Sequence, residues 1–229
     1  MAVNDVSHPE PVANPRPQFL PEELLDSLPA DAPEARASRR DLRVFNRLLG
    51  NRGWLARTVR RELRPGERVI EIGAGDGSLA MAMLARGLPW DGLDLISAPP
   101  AWPDQSRWIQ GDLLDAAFGR EHQVVVANLI LHHFSDADLH AIGSRLANHA
   151  RVIVAADLYR SCFYEFTFKI VARLIGAHPV SRHDGRLSIR AGFRGEELPR
   201  LLGLDPRHWR STVSRTITGA YRLLAVRQA

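Results

Sequence analysis

Cysteine and lysine are almost missing from this chain of 229 residues, which has one of each, Cys162 and Lys169. A single thiol excludes an internal disulfide and any zinc site built on cysteines; it points to a reducing, cytoplasmic compartment, and no metal is expected. No apolar run approaches the roughly 20 residues that a bilayer crossing needs. None follows the start as a secretory leader would, because Asp5 and Glu10 intrude. Disorder throughout is excluded by what is present: 45% of the residues are hydrophobic, enough to bury a core.

Charge of one sign is not in large excess. Thirty Lys+Arg face 26 Asp+Glu, a net of +4, although the pI is 9.9. Since 29 of those 30 cations are arginine, the high pI partly reflects the codon usage of a GC-rich genome. Arg36, Arg39, Arg40 and Arg43, like Arg57, Arg60 and Arg61, are interleaved with Glu34, Asp41 and Glu62. Without neighbouring stacking aromatics they read as solvated helix faces, which disfavours a nucleic-acid partner.

Seven of the 15 prolines fall within the first 33 residues. Proline fixes φ and removes a donor, so residues 1–34 are expected to form a flexible arm. Residues 35–66 read as helical. Ser38 and Asp41 have capping-box spacing, Leu42, Phe45, Leu48 and Leu49 share a stripe, and Asn51-Arg52-Gly53 breaks the run. From Pro65-Gly66 onward, strands alternate with helices: Val69–Ile72, a helix over Ser78–Arg86, Gly92–Ile96, Arg107–Gln110, Val124–Ala127 and Arg151–Ala156. Ser135 is placed to cap the helix between the last two. Short apolar strands separated by helices imply a parallel sheet covered on both faces. Trp209–Thr218 and Tyr221–Arg227 lie close enough for an antiparallel hairpin. The fold class is therefore α/β, a doubly wound, seven-stranded, mostly parallel sheet ending in that hairpin.

Glu71-Ile72-Gly73-Ala74-Gly75-Asp76-Gly77 joins a strand to a helix, where glycines let a backbone approach a ligand and helix N–H groups stand unpaired. No Lys-Ser/Thr follows, so it is not a phosphate-binding P-loop, and the G-x-G-x-G spacing departs from the dinucleotide pattern. Asp94, 21 residues beyond Gly73, is placed to accept ribose hydroxyls, and Asp112 to accept an adenine amine. Two acids beside a glycine turn suit a cationic nucleoside better than a pyrophosphate.

On these segments, with Val124–Phe134 and the C-terminal hairpin, the chain resembles the class I S-adenosylmethionine-dependent methyltransferases over about residues 35–229. The resemblance implies that Glu71, Gly73, Ala74 and Gly75 surround the methionine part and ribose of S-adenosylmethionine. It implies that Asp94 and Leu95 hold the ribose, that Asp112 and Leu113 hold the adenine, and that Asn128 and Leu129 face the reacting methyl. It also implies a methyltransferase domain over 67–229, an insertion at 159–193, and helices 35–66 covering an acceptor.

The ending Leu131-His132-His133-Phe134 is similar to small-molecule methyltransferases of quinone and polyketide pathways and lacks an Asn/Asp-Pro-Pro-Tyr signature; the Arg39–Trp54 helices with the segment 178–190 resemble those of phenolic-lipid and other polyketide pathways. Methyl transfer to a hydroxyl benefits from a base of near-neutral pKa, so His132 or His133 is a candidate base. The apolar helix Ser161–Gly176 suits a greasy acceptor or a transient membrane-surface contact. The polar segment His178–Arg190 reads as a loop in which His183 and Asp184 form a base-and-orienter or acceptor-binding pair. The expected activity is O-methylation of a small hydrophobic or aromatic acceptor, yielding S-adenosylhomocysteine. C-methylation, RNA methylation and a non-catalytic cofactor-binding subunit are the alternatives. The sequence is silent on assembly.

Overall fold

In the computed structural model, residues 16–17, 23–29, 32–116 and 119–228 are described. The elements run α1 (Leu24–Ser27), α2 (Pro33–Leu49), α3 (Asn51–Glu62), β1 (Val69–Ile72), α4 (Ser78–Leu84), β2 (Trp90–Asp94), β3 (Trp108–Gln110) and β4 (Val124–Asn128). A 3-10 turn at Leu131–His133 leads to α5 (Asp136–His149), β5 (Val152–Leu158), α6 (Cys162–Leu174), α7 (Pro179–Ala191), α8 (Glu197–Leu201), β6 (Trp209–Arg215) and β7 (Ala220–Arg227).

The strands form one sheet in the order β3-β2-β1-β4-β5-β7-β6, in which only β7 is reversed. Alternation along each strand divides the core. Ile70, Ile72, Val125, Ala127, Ile153 and Ala155 face α5 and α8, while Val69, Val124, Val126, Val152 and Val154 face α3 and α4. Burying each such valine or isoleucine contributes about 1.5–3 kcal/mol, so two covered faces hold the sheet far more firmly than one. The register sets Ile72 beside Leu93 and Ala127, which brings the ends of β1, β2 and β4 to one edge. There the strand order reverses between β1 and β4, which stay parallel, the place where open α/β sheets leave a crevice.

The helices differ from expectation at three places. The break between α2 and α3 is at Gly50, in the left-handed region at φ 68°, rather than at Asn51–Gly53. Ser38 and Asp41 do not cap; they are buried inside α2, while Leu42 and Leu48 of the anticipated stripe are exposed. The inward face of α2 is polar because it docks by hydrogen bonds: Asp41 Oδ2 accepts from His178 N at 2.7 Å and from Ser181 Oγ at 2.9 Å. Residues 179–190 of the segment read as a loop belong to α7, with His178 as its N-cap and Ser181, Asp184 and Ser188 on its buried side.

Within residues 1–34, the described positions make specific contacts with the fold. Arg16 donates to Ala191 O at 3.0 Å and to Phe134 O at 2.5 Å, and it pairs with Asp136. The N–H groups of Leu24 and Leu25 both donate to Asp184 at 2.9 Å. The remainder of the 1–34 expectation lies outside the described residues. Together α1, α2, α6 and α7 form a roof at the strand ends. Among the described residues no helix is long and apolar enough to cross a membrane.

Beneath the sheet, α5 approaches α8 at Gly143, where an added Cβ would sit 1.9 Å from the Leu202 carbonyl oxygen. Backbone cannot yield as a side-chain tip can, so Gly143→Ala is expected to destabilise the fold by about 1–3 kcal/mol. Urea unfolding should show a lower midpoint at unchanged slope; an unchanged midpoint would contradict the packing described.

Candidate functional site

The turn after β1 is shaped by its glycines. Gly73 and Gly75 take φ values of 68° and 55°, which glycine adopts without penalty. The N–H groups of Gly73 and Ala74 donate to Leu93 O at 2.9 and 3.1 Å, binding the turn to β2. A Cβ on Gly73 would lie 2.4 Å from the Ile130 side chain, whereas one on Gly75 would meet nothing within 4 Å. The loop is therefore closed on the β4 side and open beyond Gly75.

Asp94 stands at that opening. Its carboxylate accepts from Gly75 N at 2.7 Å and from Ile96 N at 3.2 Å, while Leu95 beside it is exposed. Asp112, one strand further, is exposed and turns its own loop by accepting from Leu114 N at 2.8 Å; Leu113 is buried. Glu71 lies below this surface, 2% exposed, and its carboxyl accepts from the Trp90 indole at 2.9 Å. Burial, with the nearby Asp76 and Asp94 charges, pushes it up to about 8, so it is mostly protonated at neutral pH.

At the end of β4, Asn128 Oδ1 accepts from Asn51 Nδ2 at 3.3 Å. Asn51 is fully buried, and its own Oδ1 has no donor among the described residues. Leu129 follows at φ 56°, a region that costs a branched side chain energy, and its N–H donates to Ala156 O at 2.8 Å. From α3, Arg52 donates to Ser78 Oγ at 3.2 Å, which sets a guanidinium at the start of α4.

The chain then enters the 3-10 turn carrying the two histidines. His132 is buried, with Nδ1 2.7 Å from Asp157 Oδ1 at the end of β5. Asp157 also accepts from Leu131 N and Leu158 N, so its position is fixed by the backbone. Glu23, reaching in from the start of α1, places a carboxylate oxygen 3.8 Å from His132 Nε2 and 4.0 Å from His133 Nε2. Ser188 of α7 donates to the same Glu23 oxygen. Burial opposes a charge on His132, but Asp157 and Glu23 outweigh it and raise its pKa to about 9. Burial and the His132 charge together lower His133 to about 4. One ring is thus an imidazolium at neutral pH and its neighbour, at 4.3 Å between centroids, is a free base. Glu23 is held below its ordinary value, the two histidines overcoming the cost of its burial.

His183 does not join them. Half of its side chain is in solvent, Nδ1 meets Asp184 Oδ1 at 3.0 Å, and Asp184 anchors α1 instead of orienting a base. Among the described residues, Glu23, His132 and His133 are the one group whose ligand atoms, all within 4.8 Å of one another, could take a metal ion. Sequence reading missed Glu23, Asn51, Arg52 and Ser188, and did not link Asp157 to His132. Only Asp157 carried a signal, as an acid at the end of the strand next to the one preceding the histidines.

No protein-family model matches the chain. The ribosomal RNA small subunit methyltransferase A of Bartonella tribocorum (strain CIP 105476 / IBS 506) is 31% identical over 144 residues. That match covers 56% of this chain and about half, 49%, of the relative. Among solved structures, the plantazolicin methyltransferase BpumL with a triazolic desmethylPZN analog and SAH superposes with TM-score 0.69 at 11% identity, covering 90% of this chain and 93% of that one. Magnesium protoporphyrin IX methyltransferase from Synechocystis PCC 6803, with bound SAH, gives 0.56 at 19% identity, with 82% and 86% covered. The pyocyanin biosynthetic protein PhzM gives 0.52 at 16%, with 76% and 54% covered. At such identities the likeness is one of fold.

The opposite shifts of the two histidines are directly measurable. With 15N-labelled histidine, one buried ring should titrate near 9 and its neighbour near 4, and Asp157→Asn should bring the first down. The folded value of His132 lies above the ordinary 6.5, so this pair stabilises the fold below that pH and the contribution is lost as pH rises through 9. The neutral, partly exposed His133 acts oppositely, its contribution being lost as pH falls from 6.5 towards 4. Two rings titrating together near 6.5 would overturn the arrangement.

Proposed function

We propose that this chain, which has the Rossmann-like fold of the class I methyltransferases, transfers a methyl group from S-adenosylmethionine to a small hydrophobic acceptor. The preferred acceptor group is a phenol-like hydroxyl. One observation carries the reading: the glycine turn with Asp94, and the buried His132–Asp157 pair, sit at adjoining strand ends in contact through Gly73 and Ile130.

The residues present fit that cofactor. The space beyond Gly75 lies next to a carboxylate suited to ribose hydroxyls, with Asp112 and Leu113 beyond it for adenine. The buried Asn51 Oδ1 lacks a donor, which an amino-acid ammonium would supply, and Arg52 offers a cation for the matching carboxylate. When bound, the cofactor supplies a methyl group already activated by positive sulfur. What remains for the chain is to align the acceptor, exclude water and handle one proton.

His133 is the nitrogen free to take that proton at neutral pH, and the ionised Glu23 nearby steadies the charge it gains. His132, held charged by Asp157, sets positive potential where a phenolate develops. The field that lowers His133 also lowers the pKa of a phenol placed beside it, which makes a weak base sufficient. The helices of 35–66 and the insertion of 159–193 would roof the acceptor. C-methylation of an electron-rich ring would use the same arrangement and needs the same phenolate.

RNA methylation is a second reading, favoured by the curated relative. Against it, Asn128 is followed by Leu129, Ile130 and Leu131, which offer no aromatic face to a flipped base.

Incubation with labelled methyl donor and a panel of phenols, alkylresorcinols and quinols, followed by mass, tests the reading. Label is expected on a phenolic oxygen. Label on ring carbon selects the rival, label on RNA the second reading, and label on none removes the acceptor assignment. Asp94→Ala should lose S-adenosylhomocysteine affinity by calorimetry. His133→Ala should lower kcat by roughly 100-fold with that affinity kept, the usual range for a general base. Turnover should survive EDTA; its loss, restored by a divalent ion, would assign the Glu23–His132–His133 group to a metal.

A further inference from the structure

We infer that the outer face of α6 and the tip of the β6–β7 hairpin form a docking surface for an anionic lipid bilayer. Phe163, Phe166, Ile170 and Leu174 recur at three- and four-residue spacing on one stripe of α6, and all are exposed, Leu174 by 80%. At the hairpin tip Ile217 is 94% exposed. The two elements are joined: Tyr164 Oη donates to Thr216 O at 3.0 Å, and a Cβ on Gly219 would touch the Tyr164 ring. Phe163 packs edge-on against Tyr164, so the apolar stripe runs from the tip along the helix.

The charges decide what covers this face. From 162 to 191 the acids are Glu165 and Asp184, both buried, whereas Lys169, Arg173, Arg182, Arg186 and Arg190 reach solvent. Glu165 alone gathers Lys169, Arg186 and Arg190. The hairpin from 209 to 228 contains no acid and adds an exposed Arg215 beside its tip. A second copy of this chain would bring the same cations against these, so self-association on this face is opposed. Phosphate of a nucleic acid would satisfy the cations but leave the phenylalanines in water. A bilayer with anionic headgroups meets both needs, with the apolar side chains below the headgroups and Lys169 and Arg173 snorkelling to them. The inference stands on this surface alone and does not require the proposed reaction.

Sedimentation of the full chain with vesicles tests it, comparing pure phosphatidylcholine with three parts phosphatidylcholine to one part phosphatidylglycerol. Binding is expected to the mixed vesicles only and to fall with added salt. Phe166→Ser and Leu174→Ser together, and separately Arg173→Glu, should each weaken it by about tenfold. Unchanged thermal unfolding of the exposed Arg173→Glu variant keeps loss of fold apart from loss of docking. Equal binding to both vesicles, no binding, or a dimer in solution dissociated by these substitutions would overturn the proposal.

Discussion

The turn after β1 and the turn after β4 occupy one narrow space, and the rest of the site follows from that. An atom added to Gly73 would overlap Ile130 at 2.4 Å, so the two turns are packed to the limit that glycine allows. This contact closes one side of the glycine loop and leaves the other open beside Asp94. It also fixes where the chain leaves β4, and hence where His132 and His133 begin. The left-handed Leu129 belongs to the same constraint: β4 must turn sharply to carry Ile130 onto Gly73, and its cost is met by burial of the surrounding strands.

Acids at the two ends of the sheet show how position decides role. At the start of β2, Asp91 is buried and accepts from Arg68, His122 and the Arg107 N–H. Those donors outweigh its burial and hold it well below the usual carboxylate range, which makes it a structural tie. At the other end, Asp94 accepts only from backbone of its own neighbourhood, and Asp157 is committed on one side to backbone and on the other to His132. The same residue type is a fastening where cations surround it and, at the other end of the sheet, a carboxylate that borders the crevice.

Much of the frame was legible because it depends on local pattern. Short apolar runs flanked by glycine and proline mark the central strands, with ends displaced by a residue or two, as in β2 beginning at Trp90 instead of Gly92. The glycine turn, Asp94 and the post-β4 histidines share the edge that the alternation implied. The roof was not legible, because its inward faces are polar. Hydrophobic periodicity selects Leu42 and Leu48 of α2, which are outside, and passes over Ser38 and Asp41, which are inside. In α7 the buried residues include Ser181, Asp184 and Ser188, so the segment carries no apolar period and reads as a loop. Glu23 reaches the histidines across more than a hundred residues of sequence, and no spacing rule encodes such a contact.

That polar roof ties the proton inventory of the histidines to the docking of α1. Asp184 accepts from the two N–H groups that begin α1, and Ser188 Oγ donates to Glu23, so α7 holds the Glu23 carboxylate beside His132. Two carboxylates, Asp157 and Glu23, thus face His132 and hold its proton against the cost of burying the charge. By linkage, whatever favours the charged His132 favours the seated roof to the same degree. The charge on His132 therefore depends on the roof that carries Glu23 as well as on the pair it forms with Asp157.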